Sequence, residues 1–83
     1  MDIGVEISMY PLRDEFIPPI AAFIERLNID ERFRVETNSM STQVFGPAEP
    51  LLELVCKQMR VSLAEHGKAV FVLKVLGPYA VVE

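Results

Sequence analysis

The chain is poor in the residues that metal, phosphate and disulfide chemistry require. A single cysteine, Cys56, excludes an internal disulfide, and with a single histidine, His66, it leaves too few soft ligands for a zinc site. No Cys-x-x-Cys follows the first apolar segment, which excludes a soft-metal chaperone. The four glycines are scattered and build no phosphate-cradling loop. Tryptophan is absent, and no aromatic pattern of the RNA-stacking kind stands on the third β-prone segment. Positive charge is outnumbered, with 8 Lys+Arg against 12 Asp+Glu, a net charge of −4 and a pI near 4.9. That balance argues against a nucleic-acid partner, which needs several cations to neutralise phosphates. No apolar run reaches the ~18 residues of a membrane span, so no membrane insertion is expected. Met1-Asp2-Ile3-Gly4 lacks the basic start of a signal peptide, and the expected location is cytoplasmic.

What the chain does have is apolar surface. It is 83 residues long, 51% apolar and 24% charged, with a mean hydropathy of +0.27. This is the composition of one globular domain, too apolar for disorder. A domain this short buries only roughly 60–65% of its unfolded surface. Apolar area left over after folding belongs in a subunit interface, so a homo-oligomer is expected.

The hydrophobic period changes along the chain. In residues 4–10, Val5, Ile7 and Met9 alternate with Glu6, Ser8 and Tyr10, a strand with one apolar and one polar face that Pro11 stops. In residues 14–29, Phe16, Ile20, Phe23, Ile24 and Leu27 share one helical face. Asp14 is the expected N-cap, and the two prolines place the regular helix from about Ile17 or Pro18. Residues 32–38 and 41–46 are two β-prone runs joined by a connection short enough for a hairpin, with its tip at Asn38–Met40. Either Thr42 and Val44 or Gln43 and Phe45 point inward. After Gly46-Pro47 a second helix is expected over residues 48–66, with Leu51 or Leu52, Val55, Met59 and Leu63 as its apolar stripe and Gly67 as its cap. Residues 68–76 are apolar on both faces, as in a strand covered on two sides. Tyr79 to Val82 is a fifth strand or a segment that pairs with another subunit.

The order β-α-β-β-α-β predicts an α+β ferredoxin-like sandwich, a single domain over residues 1–83 with its core at about 3–76 and a short C-terminal extension. The right-handed crossover rule places the first strand inside a four-stranded antiparallel sheet, beside the third and fourth, with two helices on one face.

Candidate chemistry gathers on the polar side of that sheet. Glu6, Ser8 and Tyr10 project from one face of the first strand, and the hairpin adds Asn38, Ser41, Thr42 and Gln43. One carboxylate, several hydroxyls, two amides and a ring are the mixture that binds a small polar heteroaromatic. The same residues also suit a solvated sheet face with ordinary cross-strand polar pairs. Cys56, beside the apolar Val55 in mid-helix, reads as a buried inert thiol, and His66 as a solvated surface residue. A lone histidine supplies no base beside a nucleophile, so no enzyme activity is expected.

Two segments carry a family likeness. Glu6-Ile-Ser8-Met-Tyr10-Pro11-Leu12-Arg13 and Asn38-Ser39-Met40-Ser41-Thr42-Gln43-Val44-Phe45-Gly46 resemble the two signatures of the YkoF-like family of small thiamine-binding proteins, in the same order and spacing. The likeness spans about residues 3–76. It implies a ferredoxin-like fold, no catalysis and no cofactor, with thiamine or its hydroxymethylpyrimidine moiety as ligand. It also implies a homodimer or homotetramer assembled through the sheets. Carried onto this chain, it implies that a hydroxyl of Ser41 or Thr42 hydrogen-bonds the aminopyrimidine and that Tyr10 or Met40 packs on its ring. Glu6 would accept from the exocyclic amine or pair with a protonated ring nitrogen. The chain departs from the family at the end of its last strand. Val75-Leu76-Gly77-Pro78 stands where many single-domain relatives carry an arginine.

Two other functions fit the same topology. An ACT-like regulatory or assembly module would bury the sheet face between subunits and bind another small molecule or none. An acylphosphatase-like enzyme needs an anion-cradling loop after the first strand, and Tyr10-Pro11-Leu12 lacks the glycines for it.

Overall fold

The computed structural model describes residues 1–78. Six elements follow one another: β1 (Asp2–Pro11), α1 (Ile17–Ile29), β2 (Arg34–Thr37), β3 (Thr42–Pro47), α2 (Ala48–His66) and β4 (Ala69–Leu76). The sheet is antiparallel in the order β2-β3-β1-β4. This is the ferredoxin-like α+β fold with β1 in the interior, as expected. The segment Tyr79–Val82 lies outside the described residues. No described helix is long and apolar enough to cross a membrane.

Strand alternation divides the sheet into two faces. Ile3, Val5 and Ile7 of β1 and Val44 of β3 meet Phe23 and Leu27 of α1 and Leu51 and Val55 of α2 in a closed core, with Phe33 just ahead of β2. Thr42 and Val44 therefore point inward, and Gln43 and Phe45 outward. Phe23 also packs against Phe71 of β4, with ring centroids 5.3 Å apart.

Both helices begin without a side-chain cap. Asp14 is not the N-cap expected of it. The helix starts later, behind Phe16, and the Asp14 carbonyl accepts the Phe16 N–H at 3.1 Å. Pro18 stands in the first turn of α1, with Pro19 behind it, and Pro50 stands in the first turn of α2. Residues without an N–H leave fewer orphan donors for a cap to satisfy. The Ala48 N–H, another of those donors, is satisfied by the Met1 carbonyl at 2.9 Å. After α1, Arg32 clasps Asp30 at 2.7 Å. The hydrogen bonds from Arg32 hold the Asp30 carboxyl below its usual range.

Packing of α2 departs from its expected stripe. Leu51 and Val55 are buried, but Leu63 is exposed and Ser62 is 1% exposed in its place. A spacing of four residues drifts about 40° per step around a helix, so Leu63 ends about 120° from Leu51. Ser62, eleven residues on, returns to within about 20° of it. The buried hydroxyl receives a hydrogen bond from Arg26 of α1, whose guanidinium also donates to Gln58 Oε1 at 2.8 Å and to the Gln58 carbonyl at 3.2 Å. Cys56 is exposed rather than buried, because it lies on the outward side of the same helix. His66 is half-buried, not solvated, and among the described residues its buried Nε2 has no hydrogen-bond partner, with the Glu65 carboxylate 3.8 Å away.

β4 is also not covered on two sides. It is the edge of the sheet, and Val70, Val72, Leu73, Val75 and Leu76 are all exposed. Two-faced apolarity in a strand thus does not report burial among the described residues of this chain.

Candidate functional site

The two sides of β1 are paired over different lengths. β1 pairs with β4 as far as Pro11↔Ala69, but with β3 only as far as Ile7↔Thr42. Ser8 to Pro11 therefore face a gap between β1 and the β2–β3 hairpin. Asn38 sets the position of that hairpin. Its Oδ1 accepts the N–H of Met40 at 2.8 Å and of Ser41 at 3.0 Å, while its own N–H donates to the Ser41 carbonyl at 3.1 Å. A side-chain oxygen that accepts from the amide two residues on is an Asx turn. Asn38, expected to touch ligand, thus spends its Oδ1 on building the turn. The turn leaves Met40 86% exposed at the rim of the gap.

The gap joins two cavities that share Ser8, Tyr10, Asn38, Ser39, Met40 and Ser41. On the helix side, about 350 Å³ lies between this rim and Phe16, Ile20, Phe23 and Ile24, with Met9, Thr37 and Thr42 on the wall. On the open side, about 570 Å³ is bounded by the same rim together with Glu6, Val72 and Lys74. Neither cavity is lined by a histidine or a cysteine.

Glu6 is the hub of the open face. Register places Glu36, Gln43, Glu6 and Lys74 in one row across all four strands. The Glu6 Oε2 accepts from Ser41 Oγ at 3.0 Å and from Gln43 Nε2 at 3.3 Å, and its Oε1 lies 3.8 Å from Lys74 Nζ. The ammonium end is on an 81% exposed side chain, so this pair stabilises the fold by about 0–1 kcal/mol at most. In the next row the Arg34 guanidinium lies 4.2 Å from the centroid of the Phe45 ring, a cation–π contact on the same face.

Of the eight residues singled out from sequence, Glu6, Ser8, Tyr10, Asn38, Met40 and Ser41 come together around the open-side cavity. Gln43 joins them through Glu6. Thr42 does not. It is buried on the opposite face, its Oγ1 3.1 Å from Thr37 Oγ1, and reaches only the helix-side cavity. Sequence reasoning missed Lys74 and Val72, although a single lysine inside an apolar strand was a signal. It also missed Ser39, which lies between two residues it chose, and the α1 side chains that close the helix side.

The sequence matches no protein-family model and no curated protein. Its structure matches several solved ones. A protein of Streptococcus pneumoniae superposes with a TM-score of 0.87 at 17% identity, over 95% of this chain and 89% of that one. A Thermotoga maritima protein provisionally assigned to thiamine biosynthesis or salvage superposes with a TM-score of 0.85 at 19% identity, over 94% and 85%. A domain of unknown function from Bacillus cereus gives 0.71 at 14% identity, over 90% and 74%. At these identities the likeness establishes a shared fold, the ferredoxin-like arrangement described above.

Proposed function

We propose that this chain is a non-enzymatic binding protein for thiamine or its hydroxymethylpyrimidine moiety, and that it acts as a homo-oligomer. The observation that carries the reading is the gap beside β1, where the Glu6 carboxylate, two serine hydroxyls, the Tyr10 ring and the Met40 thioether surround one small concave site. A planar heteroaromatic with an amine needs a ring-packing surface and a few placed polar groups, and this rim holds both. The two signature segments that resemble the YkoF-like family are the two walls of that gap. The provisional assignment of the Thermotoga maritima neighbour to thiamine biosynthesis or salvage points the same way.

The oligomer is supported by β4. Among the described residues its outer edge has no partner strand, and both its faces carry exposed valines and leucines. A long apolar edge left open is a template for pairing, and a second copy pairing along β4 would cover it.

Isothermal titration of the purified oligomer with thiamine and with hydroxymethylpyrimidine tests the reading. Saturable binding near one ligand per chain, weakened in a folded Glu6→Ala variant, is the expected result. A folded oligomer that binds neither would overturn it.

A further inference from the structure

We propose that the main chain of Met9 is the recognition element of the gap, and that it takes the amidine edge of a ligand, a ring nitrogen beside an exocyclic amine. This rests on the binding reading above and names the group that selects the ligand.

The direction of the Met9 peptide groups follows from two hydrogen bonds outside the regular ladders. Ala48 N–H donates to the Met1 carbonyl at 2.9 Å, and the register continues it, with Ile3 opposite Gly46 and Ile7 opposite Thr42. In an antiparallel pair alternate residues exchange both bonds, so the odd residues of β1 bond towards β3. On the other side, Leu12 N–H donates to the Lys68 carbonyl at 3.0 Å, in step with Tyr10 opposite Val70, so the even residues bond towards β4. The two ladders agree. Met9 is odd, and its N–H and C=O point away from β4, into the gap.

The rung they await is missing. The next pair after Ile7↔Thr42 would set Met9 opposite Met40. Met40 has instead given its N–H to Asn38 Oδ1 in the turn. Among the described residues, neither the N–H nor the C=O of Met9 has a hydrogen-bond partner. Met9 is half-buried and lies on the wall of the 350 Å³ cavity. Backbone groups in such a place carry a cost until water or a ligand satisfies them.

The shape of the vacancy limits what fills it. A residue of this kind presents one donor and one acceptor side by side, and their complement is an acceptor beside a donor. The edge of an aminopyrimidine, ring nitrogen next to –NH2, is that complement in a planar and compact form. An added peptide strand would need further rungs. Ile7 is already paired, and Pro11, the next odd residue, has no N–H. The gap is thus one rung wide and fits a small molecule.

The test uses 4-amino-5-hydroxymethyl-2-methylpyrimidine, the same pyrimidine without its amino group, and two forms of the full chain. In the 15N-labelled oligomer, saturation with the aminopyrimidine should move the Met9 amide proton downfield. The des-amino compound should bind about tenfold more weakly. In a chain assembled by chemical ligation with an ester in place of the Ser8–Met9 peptide bond, the Met9 N–H is removed and the Ser8 carbonyl, which bonds towards β4, becomes a weaker acceptor. That chain should keep its circular dichroism spectrum and bind about five- to tenfold more weakly. Glu6-dependent binding with an unmoved Met9 resonance, or with undiminished affinity in the ester chain, would overturn this inference and leave the proposed function standing. Failure of both pyrimidines to bind would overturn both.

Discussion

Replacing Glu6 with glutamine separates the carboxylate's charge from its shape. Glutamine keeps the length of the side chain and one oxygen to accept from Ser41 or Gln43, whose donors lie at 3.0 and 3.3 Å from the native Oε2. The fold loses the 3.8 Å pair with a highly exposed Lys74 and the charge assistance on two part-buried hydrogen bonds, together about 1 kcal/mol. For a domain of this size that corresponds to a melting shift of about 4–8 °C. The ligand loses more. A hydrogen bond to a charged group contributes about 1.5–3 kcal/mol and a neutral one about 0.5–1.5, so an amine or protonated ring nitrogen held by Glu6 should lose about 1–1.5 kcal/mol. That is close to a tenfold rise in Kd. Thermal melts and titration calorimetry with hydroxymethylpyrimidine, run on both proteins in one buffer, read the two quantities independently. An unchanged Kd would show that Glu6 does not touch the ligand. A melting temperature lowered by 10 °C or more would show that its role is structural.

Three further outcomes follow from the packing. Arg26→Met removes the donors to Gln58 and to the buried Ser62 hydroxyl, and urea denaturation should show a loss of about 2–3 kcal/mol; a loss below about 0.5 kcal/mol would show the α1–α2 clasp to be dispensable. Gly46→Ala would place a methyl group 2.5 Å from the Phe33 ring, so the ring must shift, at about 1–3 kcal/mol by the same assay; a neutral result would mean Phe33 is loosely held. Val75→Lys, at a position 58% exposed in the single chain and on the sheet face opposite Glu6, should leave the fold intact and lower the mass found by sedimentation velocity. An unchanged mass would place the interface elsewhere than the β4 edge.

Much of the molecule is legible in the residue order because it depends on local period and punctuation. The alternation of Val5, Ile7 and Met9 with Glu6, Ser8 and Tyr10 assigns both faces of β1. Gly46-Pro47 and Gly67 bracket α2 within a residue of its observed ends, and Gly67 adopts φ +82°, which favours glycine. The polar cluster was readable for the same reason, since Glu6, Ser8 and Tyr10 share a strand face wherever that strand lies. Where the reading failed, a longer-range quantity decided. Thr42 and Gln43 exchange faces with a shift of one residue, and the Asn38 turn sets that register. On α2, a stripe counted in fours drifts off the core, and the clasp from Arg26 makes Ser62 a better core residue than Leu63.

The sequence by itself determined the order of elements, the polar face of β1 and the surplus of apolar side chains on β4. Each of these rests on periodicity or composition, which any short window carries. Only the tertiary structure decided that β4 is an edge, that Lys74 of β4 joins Glu6 of β1, and that the β1–β3 ladder stops one rung short at Met9. Pairing between distant segments settles these points, because the directions of backbone hydrogen bonds have no counterpart in residue identity.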